Sequence, residues 1–279
     1  MLTVGVDLAK RKSQFAVVDE SGKVIAECKL PNDKETVQKF LRSLPGKVQV
    51  GCETCTNTYW LVELVEELQI PMFVGHALNL RLIAQSRIKT DKIDARVIAE
   101  LLRVGFFPTI AIPPKEVRQV RELLRGRIQV SRTLAQAKNR LHGVLSRAGV
   151  DYEKAQALGA GAEAWLESLE LPEGPKFMAR TFLAMIPELS ERAQQIEKEL
   201  LRQVRLVDPW GSIVQRLATI PGVGMFSAML LLLELWEVTR FPSAKHLASY
   251  VGIVPSVHQT GQTLRGGPLT KQGNRSSGP

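Results

Sequence analysis

Three cysteines and four histidines in 279 residues are too few for a disulfide scaffold or an array of zinc ribbons. Long apolar runs are missing as well. The longest mostly apolar stretch, Met225 to Leu235, falls far short of the ~20 residues that span a bilayer, so no membrane partner is expected. The opening Met-Leu-Thr-Val-Gly-Val-Asp has no basic start leading into an apolar core, which sets the expectation of no signal peptide and a cytoplasmic location. Core-forming residues are not scarce. Hydrophobic residues at 44% beside 23% charged residues exclude wholesale disorder, and the length fits about two domains.

Acid is short in two places. The net charge is +9, but between Lys115 and Arg147 nine Lys or Arg face two Glu. From Arg240 to the end five Lys or Arg face no acid at all, so the remainder is net acidic. Two basic segments on an acidic background point to a polyanion-binding face. For either segment alone, a solvated helix face stays open as the plain alternative.

The first third reads as three short strands, Thr3 to Val6, Gln14 to Val18 and Lys23 to Cys28, separated by polar turns. A helix follows over Thr36 to Leu44, then a strand over Val48 to Cys52. Leu61, Leu64, Val65 and Leu68 mark a second helix, Pro71 to Val74 a fifth strand, and Lys92 to Arg103 a third helix. This order is that of a ribonuclease-H-like mixed sheet with helices on its faces. In such a sheet the first and fourth strands are neighbours, which would bring Asp7 and Glu53 together. Asp91 and Asp94, three apart at the start of the last helix, share one face.

Singly, each acid has an ordinary explanation: Asp91 or Asp94 as a helix cap, Asp7 as a turn residue. Together, four clustered carboxylates call for a cation. Oxygen ligands without His or Cys suit Mg²⁺ or Mn²⁺ acting at a phosphodiester. Cys52 and Cys55 flank Glu53 but have no second pair or His partner, and read as ordinary reduced thiols.

Pro113-Pro114 ends the first domain. Lys115 to Arg147 reads as one long helix with Val117, Val120, Leu124, Leu134, Leu141 and Leu145 in a roughly heptad stripe, and its Arg127, Lys138 and Arg140 are candidate nucleic-acid contacts. A second helix, about Pro187 to Leu206, carries Leu189, Ala193, Ile196, Leu200 and Val204 at helical spacing. The two are expected to pack as a basic coiled-coil arm. Ile220-Pro-Gly-Val-Gly224 before an apolar helix resembles a helix-hairpin-helix turn, in which Gly222 and Gly224 would let backbone amides approach a phosphate; an ordinary tight turn is the alternative. The polar, Gly-rich end adds Arg265 and Lys271 as candidate contacts.

Val4-Gly-Val-Asp-Leu-Ala-Lys10, the Glu53 segment and Lys89-Thr-Asp-Lys-Ile-Asp-Ala-Arg96 resemble the signature of the DEDD transposases of insertion-sequence family one hundred and ten, related to the Piv DNA invertases. So do Ile220-Pro-Gly-Val-Gly224, Tyr250-Val-Gly-Ile-Val-Pro255 and Leu269-Thr-Lys-Gln-Gly-Asn274. The resemblance implies an α/β RuvC-like domain (1–112), a long helical coiled-coil arm (113–207) and a mostly α C-terminal transposase domain (208–279), the last expected to be truncated. It implies that Asp7, Glu53, Asp91 and Asp94 hold Mg²⁺, and that a bridge-type non-coding RNA pairs with donor and target DNA. It also implies a C-terminal serine nucleophile within a homo-oligomer, from dimer to tetramer. In place of that serine stands Thr260, before Gly261. Thr can act as a nucleophile, but its methyl branch restricts χ1. Three activities are thus open: an RNA-guided recombinase, an impaired remnant that only binds nucleic acid, and a junction-resolving nuclease.

Overall fold

The computed structural model describes residues 1–77, 79–80, 91–153, 157–251, 255–260 and 263–269, with backbone only at 91–93 and in the last two segments. The chain forms two compact units, Met1–Pro113 and Pro114–Pro279.

The first unit is a mixed sheet flanked by helices. Its elements run β1 (Leu2–Asp7), β2 (Lys12–Val18), β3 (Val24–Pro31), α1 (Lys34–Ser43), β4 (Val48–Glu53), α2 (Thr58–Glu67), β5 (Met72–Gly75), α3 (Asp91–Arg103) and β6 (Thr109–Ile110). The sheet order is β3-β2-β1-β4-β5-β6. β1 lies beside β4, as the sequence predicts; it is antiparallel to β2 and parallel to β4. The short β6, which pairs with β5 over two residues, was not expected, because Thr109-Ile110 is too brief to show alternation.

Strand alternation divides the two faces. Val4, Val6, Val50 and Cys52 point into a core closed by Val37 and Leu41 of α1 and by Leu61, Val62 and Val65 of α2. Asp33 starts α1 by accepting the Thr36 amide at 2.8 Å. The opposite face carries Gly5 and Gly51, and there α3 lies close. A Cβ on Gly5 would collide with the Ala95 carbonyl and the Ala99 amide, and would sit 3.0 Å from Ala99 Cα. Glycine on the strand is what lets the helix backbone come this near.

The second unit is mostly helical: α4 (Lys115–Arg147), α5 (Ala162–Ser168), α6 (Glu173–Leu206), α7 (Trp210–Leu217), α8 (Met225–Leu235), a 3₁₀ turn at Val238–Arg240, α9 (Ala244–Val251), β7 (Pro255–Thr260) and β8 (Thr263–Leu269). α4 and α6 form an antiparallel hairpin about 50 Å long. Near one end Val120 and Leu124 meet Leu200 and Val204, joined by Val214 of α7 and by Met229 and Leu233 of α8. Near the other, Leu141 and Leu145 meet Ala179 and Leu183 under Leu166 of α5.

One expectation is corrected here. α6 begins at Glu173 and runs straight through Pro187, which was expected to start it. An interior proline costs about 3 kcal/mol, but burying side chains such as Leu183 returns about 1.5–3 kcal/mol each, and Ala179 and Leu183 hold the first half of α6 against α4. Part of the polar C-terminal segment pairs into strands. It forms an antiparallel hairpin with Thr260 opposite Thr263 and His258 opposite Arg265.

Candidate functional site

Asp7 and Glu53 are the last residues of neighbouring parallel strands. The register pairs Val6 with Cys52, so the two acids follow side by side at the same sheet edge, on strands ~4.8 Å apart. Alternation puts both on the Gly5 and Gly51 face, the one α3 covers. The direction of α3 then brings its N-terminal end to them. Arg103 at its far end donates to the Glu20 carbonyl at 2.9 Å, and the Met1 amino group pairs with the Glu20 carboxylate, so that end lies by the start of β1. Asp94, immediately before Ala95, lies near the acidic edge, and it is half-buried like Asp7 and Glu53. The backbone of Asp91 opens the same helix, while its side chain lies outside the described residues.

The loops leaving β1 and β4 are tied to one another. Asn57 donates to the Ala9 carbonyl at 3.1 Å, and Asn32 donates to the same oxygen at 2.7 Å. The Ser13 hydroxyl donates to Asn32 Oδ1 at 2.7 Å. On the β4 side Thr58 Oγ1 accepts the Cys55 amide at 2.7 Å. These bonds fix the chain just beyond Asp7 and Glu53. The sequence reading missed Asn32, Asn57 and Thr58, because a polar residue before a helix reads only as a cap. Leu8, Lys10, Cys55 and Asn57 line a hollow of about 330 Å³ next to the acids.

The donor chemistry fits a hard divalent cation: Asp7, Glu53 and Asp94 offer only carboxylate oxygen. Cys52 points into the opposite core, where burial, with smaller contributions from Cys55 and Glu53, pushes its thiol well above the ordinary range. It is an inert thiol. Among the described residues, no three carboxylate, imidazole or thiolate groups are gathered closely enough to hold a metal ion. Side-chain movement, or the side chain of Asp91, would have to complete such a set.

The basic segments divide into inward and outward cations. Arg118 and Arg121 are buried. Arg121 Nε donates to the Leu233 carbonyl at 2.8 Å and its Nη2 to the Glu234 carbonyl at 3.1 Å, capping the end of α8. Arg127 pairs with Glu197 at 2.9 Å and lies over the Phe226 ring. Arg240 sits 4.3 Å from the Phe241 ring centre and 4.7 Å from that of Tyr250. Arg140 is exposed and Lys138 half-buried on α4. The Ile220-Pro-Gly-Val turn closes with Val223 donating to the Ile220 carbonyl at 3.0 Å, and Gly222 at φ +86° supplies the left-handed residue it needs. Gly224 precedes α8, and a Cβ on either glycine would meet open space. Thr260 and Arg265 lie on the β7–β8 hairpin by backbone only, and Lys271 lies outside the described residues.

The model of the IS110 DEDD domain, described as "Transposase", matches residues 4–149. The chain belongs to the IS110 family of transposases. A second model, "Transposase IS116/IS110/IS902 family", matches residues 214–277 of this transposase. The four acids fall in the first match, and Gly222, Gly224, Thr260, Arg265 and Lys271 in the second. A "Probable family 20 transposase" of Pseudomonas aeruginosa is 27% identical over 97% of this chain and 79% of its own length. The "Transposase for insertion sequence element IS1111A" of Coxiella burnetii is 24% identical over 97% and 73%. A "Pilin gene-inverting protein" of Moraxella bovis is 35% identical over 27% of this chain and 23% of its own length. The DEDD family points to divalent-metal use, and a transposase acts on DNA. No helix among the described residues is long and apolar enough to cross a membrane.

Proposed function

We propose that this transposase breaks and joins DNA strands at the acidic edge, guided by a bridge-type RNA. The observation that carries the reading is the in-register pair Asp7 and Glu53, with α3 delivering Asp94 to the same edge. On this reading the first unit is RuvC-like, α4 and α6 are a coiled-coil arm, and residues 208–279 are the strand-transfer part. Asp7, Glu53, Asp91 and Asp94 would hold Mg²⁺ or Mn²⁺, which supplies charge neutralisation at a phosphodiester. Asn32, Asn57 and Thr58 hold the loops that follow Asp7 and Glu53. Thr260 offers the hydroxyl nucleophile. Lys138 and Arg140 bind nucleic-acid backbone, with Arg265 and Lys271 adding positive charge in the C-terminal part. The working form is a dimer or tetramer.

The test is a denaturing-gel assay for a covalent protein–DNA adduct, with donor DNA, Mg²⁺ and the RNA transcribed beside the gene. Glu53→Gln and Asp94→Asn should abolish DNA breakage. The adduct should be scarce with Thr260, rise with Thr260→Ser and vanish with Thr260→Ala. Metal-dependent breakage that never gives an adduct would replace this reading with a junction-resolving nuclease. Binding without breakage in any variant would leave a remnant.

A further inference from the structure

At the end of the helical hairpin remote from α7 and α8, α4 and α6 border a hollow of about 450 Å³. That is within the range of small-ligand sites. One wall is a single face of α4, with Gln136, Asn139, Arg140 and Arg147 at helical spacing; the other is Met178 and Phe182, one turn apart on α6. A second hollow, of about 380 Å³, shares Val144, Arg147 and Met178 and continues to Pro172 and Pro175 at the start of α6. No carboxylate lines either hollow. α4 has no acidic residue anywhere after Glu122. The nearby Glu167 is taken up by Arg180 and Lys176.

Two features, beside a row of unengaged polar side chains, set this groove apart from a solvated helix face. Gln136, Asn139, Arg140 and Arg147 are exposed and make no hydrogen bond or ion pair among the described residues, as is true of Arg125 and Arg132 farther up α4, whereas Arg118, Arg121 and Arg127 are engaged. Met178 stays 40% exposed beside them although it is apolar. Between Arg140 and Arg147 the helix has Gly143, a residue that weakens helices. A Cβ there would come within 3.2 Å of Arg147 Nη1. The missing side chain keeps the floor low where the two guanidiniums flank it.

Paired guanidiniums, two amides and an apolar-aromatic wall match the parts of a nucleotide. Arginine takes phosphate, amides read base edges, and an aromatic ring accepts a base face. We infer that this groove binds an unpaired nucleotide of a single-stranded nucleic acid, with phosphate at Arg140 and Arg147 and the base against Phe182 and Met178. The inference rests on the nucleic-acid reading of α4 given above and narrows it to a site. A base within a duplex cannot present its face to Phe182, so the groove should prefer single strands.

The test uses the full chain and fluorescence anisotropy with a short oligouridylate, its deoxy counterpart and a DNA duplex of equal length. Phe182→Leu should weaken both single strands about tenfold and leave the duplex unchanged. Arg140→Gln with Arg147→Gln should lower the single-strand salt slope by about 1.4. Gly143→Ala should raise Tm, since Ala is the better helix former, while weakening the single strand, so that a loss there cannot be a folding defect. The oligouridylate and deoxy arms tell RNA from DNA as the source of the nucleotide. If the native chain binds single strands and all three variants match it, the groove assignment falls while the wider reading of α4 stands. If the native chain binds none of the probes, both fall. Equal losses for duplex and single strand would reduce the groove to a general cationic patch and overturn the proposal. So would variants that change only the oligomeric state in sedimentation.

Discussion

Gly5→Ala tests the packing that places Asp94. The added methyl would collide with backbone atoms of α3, the Ala95 carbonyl and the Ala99 amide, and lie 3.0 Å from Ala99 Cα. Backbone cannot swing aside as a side chain can, so α3 must move off β1 by about 1.5 Å to restore ordinary contacts of at least ~3.5 Å. Overpacking of this kind costs about 1–3 kcal/mol, which for a unit of this size lowers Tm by roughly 4–12 °C. The functional loss should be larger than the thermal one. Asp94 rides on the displaced helix while Asp7 and Glu53 stay on the strands, and an error of ~1 Å in a reacting geometry can cost ~100-fold in rate. The assays are a thermal melt with and without Mg²⁺ and a DNA-breakage assay. Gly51→Ala is the internal control: its Cβ would come 2.9 Å from Leu102 Cδ2 and 3.5 Å from Ile98 Cγ2, side-chain ends that can yield, so its losses should be smaller on both counts. A Gly5→Ala chain with unchanged Tm and activity, or one no worse than Gly51→Ala, would refute the claim that close packing on Gly5 sets the acid cluster.

Further outcomes follow from the same contacts. Arg121→Ala should destabilise by about 3 kcal/mol in denaturant melts, because the carbonyls of Leu233 and Glu234 lose buried donors. Asn57→Ala removes one hydrogen bond to Ala9, so Tm should fall only slightly while Mg²⁺-dependent breakage drops about tenfold; equal changes in both would reduce Asn57 to a structural residue. Gly126→Ala should raise Tm, since its Cβ would meet nothing within 4 Å in the interior of α4. Hydrogen bonds from Arg202 and then Gln203 hold the Glu199 carboxyl at about 2, and one from Arg180 holds Glu167 below its usual range. Both folded values lie below the unfolded value of 4.5. Their stabilisation is therefore full above about pH 4.5 and is lost as pH falls toward the folded values. Arg202→Gln should flatten the fall of Tm across that window.

The sequence by itself determined which elements form in the first unit, all but the two-residue β6. Alternating Val4, Val6, Phe15, Val17 and Val50 and the polar turns are local signals, and β1, β2, β4 and α3 lie where periodicity puts them. It also determined the family, because Asp7, Glu53, Asp91 and Asp94 sit in recognisable local motifs. What it left open depends on contacts between distant residues. Nothing local distinguishes Arg121 or Arg127 from Arg140, since all three are cations on one helix. Only the packing of α4 against α6 and α8 turns the first two inward, onto carbonyls and Glu197, and leaves the third exposed. Pro187 reads locally as a helix start, and only the burial of Ala179 and Leu183 against α4 carries α6 through it. Gly5 looks like any strand glycine until α3 is laid across it. The register of β1 against β4 then decides that Asp7 and Glu53 share one edge, because hydrogen bonds between strands far apart in sequence fix positions that no local pattern can.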